Sequence, residues 1–483
     1  MTPTWIGLLI LLIGALLLMR GTITSTFGLM MACSLFGGSA AVSLPALGGS
    51  SIPPAYMALG LLVLRILLNG GGTPKMVGEA LRENVALAIF CFYGVATALI
   101  LPRVFAGALQ VTPLRGNLSD YIFAAAPLRP GPQNITSAVY LFGTLLAALA
   151  SAVVARSRNA VESLTKIFAW TTLSHVGLGV LALGLTTINQ TWLIDLIRNG
   201  GYAQLDQAYG SFIRIAGFFP EASAYAAYGI VFMALCVECW MRGLQPRLTG
   251  WAALCIALTL LLSTSSSAYL GVGGYAAILI LRLFLFPGAI PPRRVLTLVL
   301  LALCGLLVTL TVAVAVPRLL HTFTDMISHM TLDKADSVSG RQRRFWAEQG
   351  IEAFKVTWGL GVGAGSFRSS SLATAIMGSM GVVGLITFVV YVWTALKPLR
   401  GTTFGGRQAS PEQALGASCG WALIAGLIPA IVASPSPDPG LLFGVMGGIA
   451  IALRRSPKAA PRQTTPPYSS ARFATPGAAN GAG

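Results

Sequence analysis

Apolar runs of bilayer-spanning length recur from residue 4 to residue 453, and they leave the chain very few possible folds. Hydrocarbon offers no partner for backbone N–H and C=O groups, so a chain crossing about 30 Å of it must be helical or close into a barrel. The runs fall near 4–19, 22–44, 55–68, 85–101, 135–155, 167–186, 222–241, 248–264, 269–286, 295–316, 371–396, 414–433 and 439–453. None alternates with the period of two that a strand requires. The reading is an all-α polytopic membrane protein, a bundle of about 12–13 transmembrane helices. A hydrophobic fraction of 55% with 10% charged residues excludes a soluble domain of this length. The first run has no charged leader and no cleavage site before Arg20, so it is read as a retained span.

Lys and Arg in short loops set the orientation. With the end of the chain on the cytoplasmic side, that side receives Arg20, Lys75, Arg82, Arg156, Arg158, Lys166, Arg242, Arg247, Arg293, Arg294, Lys397, Arg400 and Arg407. Arg65 and Arg282 fall near inner helix ends, from which they can snorkel. The formal charge of +17 is therefore mainly a topology signal. Nucleic acid is not an expected partner; the lipid bilayer is. The seven cysteines all lie in apolar runs, and Cys236-Val-Glu-Cys239 reads as packing rather than as redox or metal chemistry.

One helical domain is expected over 1–453, followed by a Pro/Ala/Ser/Thr-rich cytoplasmic tail over 454–483 that reads as disordered. Three connections on the outer side are long: 102–134, 187–221 and 317–370. The second contains Trp192–Arg198, an expected interfacial helix. The third, read as a large periplasmic loop, carries an amphipathic helix from Arg341 to Lys355. Its apolar stripe is Trp346, Ala347, Gly350, Ile351 and Phe354, and Arg341, Arg344, Glu348, Glu352 and Lys355 lie opposite. Solvated ion pairs explain Arg344 and Lys355, but Arg343 falls toward the apolar stripe.

Cations in a long loop beside a bilayer suit a phosphate-bearing ligand. Gly359, Gly361, Gly363 and Gly365 alternate before Ser366-Phe-Arg368, a spacing that either brings N–H groups close to an anion or forms a flexible re-entry to the next span. Arg214 and Glu221 flank Gly217 and Pro220; Pro220 and Glu221 also suit the first turn of the following helix. His321 and His329 lie in the third connection and are candidates for acid or base. His175 lies inside a span, where an interhelical hydrogen bond is the expected role. No metal-ligand set is apparent, and no cofactor is expected.

In order along the chain stand Arg214-Ile-Ala-Gly217-Phe-Phe-Pro-Glu221-Ala-Ser223, Leu262-Ser-Thr-Ser-Ser-Ser267-Ala-Tyr269, Arg341 to Trp346, Gly361-Val-Gly363, and Gly381-Val-Val-Gly384-Leu385. This series resembles the O-antigen ligase and Wzy-type polysaccharide polymerase superfamily, in the style of exopolysaccharide repeat-unit polymerases. The resemblance implies a metal-independent glycosyltransferase of the bacterial inner membrane that moves glycan from an undecaprenyl-pyrophosphate carrier at the periplasmic face. It implies pyrophosphate binding by Arg214 and Arg341 with the matched Gly361 and Gly363, and proximity adds Arg344 and Arg368. Glu221 stands where some relatives carry a similar Pro-Glu-x-Ser and is the possible base. Two marks of ligase-type members are missing: Ser267 stands in place of an arginine, and Ser369-Ser-Ser371 in place of a histidine. The expectation is a polymerase in exopolysaccharide biosynthesis, with a chain-length regulator or export complex as a possible partner. The alternatives are a ligase-type transferase to a lipid or protein acceptor and a non-enzymatic flippase for the same glycan.

Overall fold

The computed structural model describes residues 2–45, 49–69, 73–114, 123–200, 208–209, 212–286, 290–315, 338–402 and 410–454. His321, His329 and all but the first residue of the expected tail lie outside them. Along the chain run α1 (Trp5–Arg20), α2 (Ile23–Cys33), α3 (Pro54–Leu68), α4 (Thr73–Glu83), α5 (Val85–Val104), α6 (Pro132–Ala155), α7 (Ala160–Thr187) and α8 (Trp192–Ile197). They are followed by α9 (Ala222–Met241), α10 (Pro246–Leu262), α11 (Ser266–Leu285), α12 (Pro292–Ala315), α13 (Val338–Val356), α14 (Leu372–Thr402), α15 (Pro411–Ala433) and α16 (Leu441–Ala452). Strands among the described residues are confined to three small antiparallel sheets of two- and three-residue strands.

The protein is an all-α polytopic membrane protein. Seven described helices (α5, α6, α7, α9, α11, α14 and α15) are long and apolar enough to cross a bilayer, and five shorter apolar helices accompany them. Leucines, isoleucines and aromatics point outward along α1, α7, α11 and α12, among them Leu12, Trp170, Phe284 and Leu307. An apolar exterior of this kind suits contact with lipid rather than water. The core lies between α6, α9, α15 and α16, and α9 is apolar and buried on nearly every side.

Two expected spans differ from the observed elements. The run over 22–44 is helical only to Cys33; the capping residue, Ser34, bonds through its hydroxyl to Met31 O and Tyr228 OH, both at 2.6 Å. Gly37 and Gly38 then pass so close to Phe218 and Phe219 that a Cβ on either would lie within 3 Å of them. The run over 439–453 forms only the twelve-residue α16, about 18 Å long, which crosses part of a bilayer. It packs backbone to backbone on α6: a Cβ on Gly444 would meet Thr144 O at 2.4 Å, and one on Gly448 would meet Ala148 O at 2.2 Å. Small residues four apart are the usual means of bringing two membrane helices into such contact.

Arg282 does not snorkel. It is 4% exposed, and its Nη1 bonds to Glu238 Oε1 at 2.6 Å, while Tyr275 OH donates to the same oxygen at 3.0 Å. A buried carboxylate within reach made pairing more favourable than extension to the surface.

Gly448→Ala should lower unfolding stability in detergent by about 1–3 kcal/mol, because the methyl meets backbone. Gly60→Ala, in α3 with nothing within 4 Å of a Cβ, is the control and should unfold at or above the wild-type temperature.

Candidate anion site at the head of α9

The segment from Arg214 to Glu221 is a tight turn gripped from behind. Gly217 has φ +53° and lies where a Cβ would come within 3.0 Å of the Tyr225 ring. Arg198, 9% exposed, donates from Nη2 to Gly217 O at 2.8 Å, and Gly38 N donates to Phe218 O at 2.8 Å. The 197–200 turn is fastened in its own right: Ser39 Oγ donates to Ile197 O at 2.6 Å, Ala40 N to Asn199 Oδ1 at 2.7 Å, and Gly200 N to Gly38 O at 3.1 Å. Phe36 stacks on Phe218 at 5.8 Å. Beneath, Phe219 packs among Tyr225, Tyr228 and His175. His175 makes a stacked pair with Tyr225 at 3.9 Å and accepts an interhelical hydrogen bond from Tyr225 OH at its backbone carbonyl, at 3.2 Å, while its Nε2 has no hydrogen-bond partner.

Glu221 is the residue that caps α9, yet its carboxylate makes no capping bond to the helix. It accepts the Ser223 hydroxyl instead. Among the described residues it forms no ion pair. Arg214 is half-buried with its Nε unpartnered. Burial lowers the proton affinity of its guanidinium, the Glu221 charge raises it, and Arg343 lowers it again. Tyr269, in the first turn of α11, lies close enough to act on the same group.

Arg368 reaches this place from the other side. Its N–H donates to Thr112 O at 2.8 Å, its guanidinium lies 4.4 Å from the Trp346 ring, and its Nε is buried without a partner. Burial lowers its proton affinity too, with Glu221 opposing and Arg343 reinforcing that effect. The two arginines therefore sense the same carboxylate and the same third cation. Neither shift uncharges an arginine at neutral pH.

That third cation is Arg343, carried by α13. Gln349 on this helix exchanges two hydrogen bonds with Thr112, at 2.9 and 3.1 Å. Phe345 meets Phe123 edge-on at 5.4 Å, and a Cβ on Gly350 would touch Thr374 O. The Arg343 carbonyl accepts Ser370 Oγ at 2.5 Å. The inner face so defined carries Arg343, Trp346, Gln349, Gly350 and Ala353, while Arg341, Arg344, Glu348, Glu352 and Lys355 are exposed, as the helical period implies. Ile351 differs, at 37% exposed, because it stands just beyond the edge of the packed face. Arg341 and Arg344, the expected anion ligands of this helix, thus lie on its exposed face, and the cation of this helix that acts on both Arg214 and Arg368 is Arg343. The signal was present in the sequence as its phase on the helix.

The alternating glycines serve packing. Gly359, Gly361, Gly363 and Gly365 all have φ between +79° and +96°. A Cβ on Gly361, Gly363 or Gly365 would lie within 2.6 Å of backbone at Ser379, Thr97 or Gln133. Gly361 N donates to Thr357 Oγ1 at 2.8 Å, and Gly363 N to Ser379 O at 2.9 Å. Both N–H groups expected to cradle an anion are thereby occupied. The stretch instead presses the chain against α5, α6 and α14 and delivers Arg368 to the cluster.

Arg214 and Arg368 thus sense Glu221 and Arg343 in common: among the described residues, three cations and one carboxylate with an uncompensated charge of two. No protein-family model matches the chain, and no curated protein matches it either.

Arg198→Ala should destabilise the purified protein by about 1–3 kcal/mol, since it strips the Gly217 carbonyl of its buried partner. Arg198→Lys, which keeps a donor, should recover part of that loss in the same thermal unfolding assay.

Proposed function

We propose that the protein is a glycan polymerase of the bacterial inner membrane, joining undecaprenyl-pyrophosphate-linked oligosaccharide repeat units at the periplasmic face. The observation that carries this reading is that Arg214 and Arg368 both sense the Glu221 carboxylate at the head of α9 and the Arg343 cation, with no ion pair to Glu221 among the described residues. A pyrophosphate brings the charge that this cluster lacks, and planar guanidiniums match its oxygens. As the bond from the anomeric carbon to the carrier phosphate breaks, the electron pair stays on the pyrophosphate, where the fixed cations stabilise it. The acceptor hydroxyl forms the new bond to the anomeric carbon and passes its proton to Glu221, which the Ser223 hydroxyl orients. Trp346 and Tyr269 provide aromatic surface beside the arginines.

Purified protein in nanodiscs, given only lipid-linked repeats, should make a ladder of products; product formed only after a third acceptor is supplied would favour a ligase. Arg214→Ala, Arg343→Ala and Arg368→Ala should each lower turnover by about 10²–10³. Arg341→Ala and Arg344→Ala should stay within about threefold of wild type, as fits exposed charges. Equal loss from Arg341→Ala and Arg343→Ala would remove the geometric basis of the proposal. Glu221→Gln should cost about 10²-fold or more in turnover while donor binding persists.

A further inference from the structure

The far end of α9 holds a second charged cluster that the proposed transfer does not use. Glu238 is fully buried in the last turn of α9, about 26 Å along the helix from Glu221 at 1.5 Å per residue. Two arginines face it. Arg282, from the last turn of α11, gives Nη1 to Oε1 at 2.6 Å, and Arg242, at the end of α9, holds Nη2 3.1 Å from Oε2. Their ion pairs among the described residues are with Glu238 alone, so the group carries a net charge of +1.

Its donors outnumber its acceptors. Arg282 Nε and Nη2, Arg242 Nε and Nη2 and Trp421 Nε1 are all buried without a hydrogen-bond partner, against one such acceptor, Glu238 Oε2, which Arg242 Nη2 approaches only as an ion pair. Arg282 and Trp421 are 4% and 8% exposed, and the Arg282 guanidinium lies 4.9 Å from the Trp421 ring. Nε and Nη2 form one edge of a guanidinium, the fork that takes two oxygens of a phosphate or carboxylate. On Arg282 one nitrogen is spent on Glu238, and both nitrogens of this edge are buried without a partner. The carbonyl ends of α9 and α11 offset part of the positive charge but accept none of these hydrogens. Unmade hydrogen bonds at buried charged groups are costly, and a membrane interior raises the cost. Arg242, with a side chain 11% exposed, is the opening of the cluster, and Arg294 stacks on Trp240 beside it at 4.5 Å.

We propose that this cluster is an anion site: a phosphate group binds the Nε/Nη2 edge of Arg282 and the Nε of Arg242, with Trp421 as one wall. The phosphate comes from the headgroup of an anionic phospholipid or from free phosphate; both present the same oxygens. Basic pockets between membrane helix ends commonly hold lipid headgroups.

Detergent-solubilised full-length protein is titrated with phosphatidylglycerol, with phosphatidylcholine and with inorganic phosphate, and bound ligand is read by native mass spectrometry and thermal shift. Saturable retention of phosphatidylglycerol over phosphatidylcholine, or saturable stabilisation by phosphate, is expected. Displacement of the lipid by phosphate shows that free phosphate takes the seat, whereas lipid retained against phosphate assigns it to the headgroup. Arg242→Gln should weaken binding at least about tenfold. Arg282→Lys keeps the charge facing Glu238 but removes the fork edge, and it should weaken binding similarly with the fold intact. Equal retention of the two lipids with no response to phosphate would mean that water alone fills the cluster. Wild-type affinity in Arg282→Lys would also overturn the proposal.

Discussion

Guanidinium groups that are desolvated without being neutralised set the terms for the rest of this structure. An arginine at the edge of hydrocarbon can reach for the surface, find a carboxylate or wait for an anion. Arg65 extends to Gly21 O at 2.5 Å, Arg282 takes Glu238, and Arg214 and Arg368, with Arg343 acting on both, sense one carboxylate without pairing with it. Like charges gathered in this way repel one another, so something rigid must hold them. The scaffold provides that rigidity from three directions.

Each arginine rests on a different support. Arg214 leads into a turn locked by the guanidinium of Arg198 and by the backbone of Gly38. Arg343 rides on a helix fixed by Gln349, Phe345 and the close approach at Gly350. Arg368 ends a run of positive-φ glycines wedged between helices, and its side chain lies on Trp346 of α13. The last contact ties two of the three supports together, so the spacing of the cations does not depend on a single loop. Preorganised charge of this kind gains most where water is scarce, because the dipoles need not reorient as charge develops.

How much of this was legible in the sequence depends on the range of the interaction. The fold class follows from hydropathy because a bilayer permits few alternatives, and the faces of α13 follow from a period of 3.6. The break after Cys33 is only partly legible: Gly37-Gly38-Ser39 interrupts the run but Leu35, Phe36, Ala40 and Ala41 prolong its apolar character, and the two glycines pack against Phe218 and Phe219, more than 180 positions later. Gly361 and Gly363 carried two readings, and only their tertiary neighbours separate anion cradle from close packing. Glu238 and Arg282 look unrelated along the chain. Motif position and proximity single out Arg341 and Arg344, whereas helical phase places Arg343 on the packed face of α13.

The central claim is that Arg343, from the face of α13 that packs inward, shares a diphosphate with Arg214 and Arg368. Equilibrium binding of undecaprenyl pyrophosphate to the purified protein tests it most directly, in wild type and in the Arg343→Gln and Arg341→Gln variants. The account predicts saturable binding that weakens at least about tenfold in Arg343→Gln and is unchanged in Arg341→Gln. Unaltered affinity in Arg343→Gln, with loss in Arg341→Gln, would contradict it.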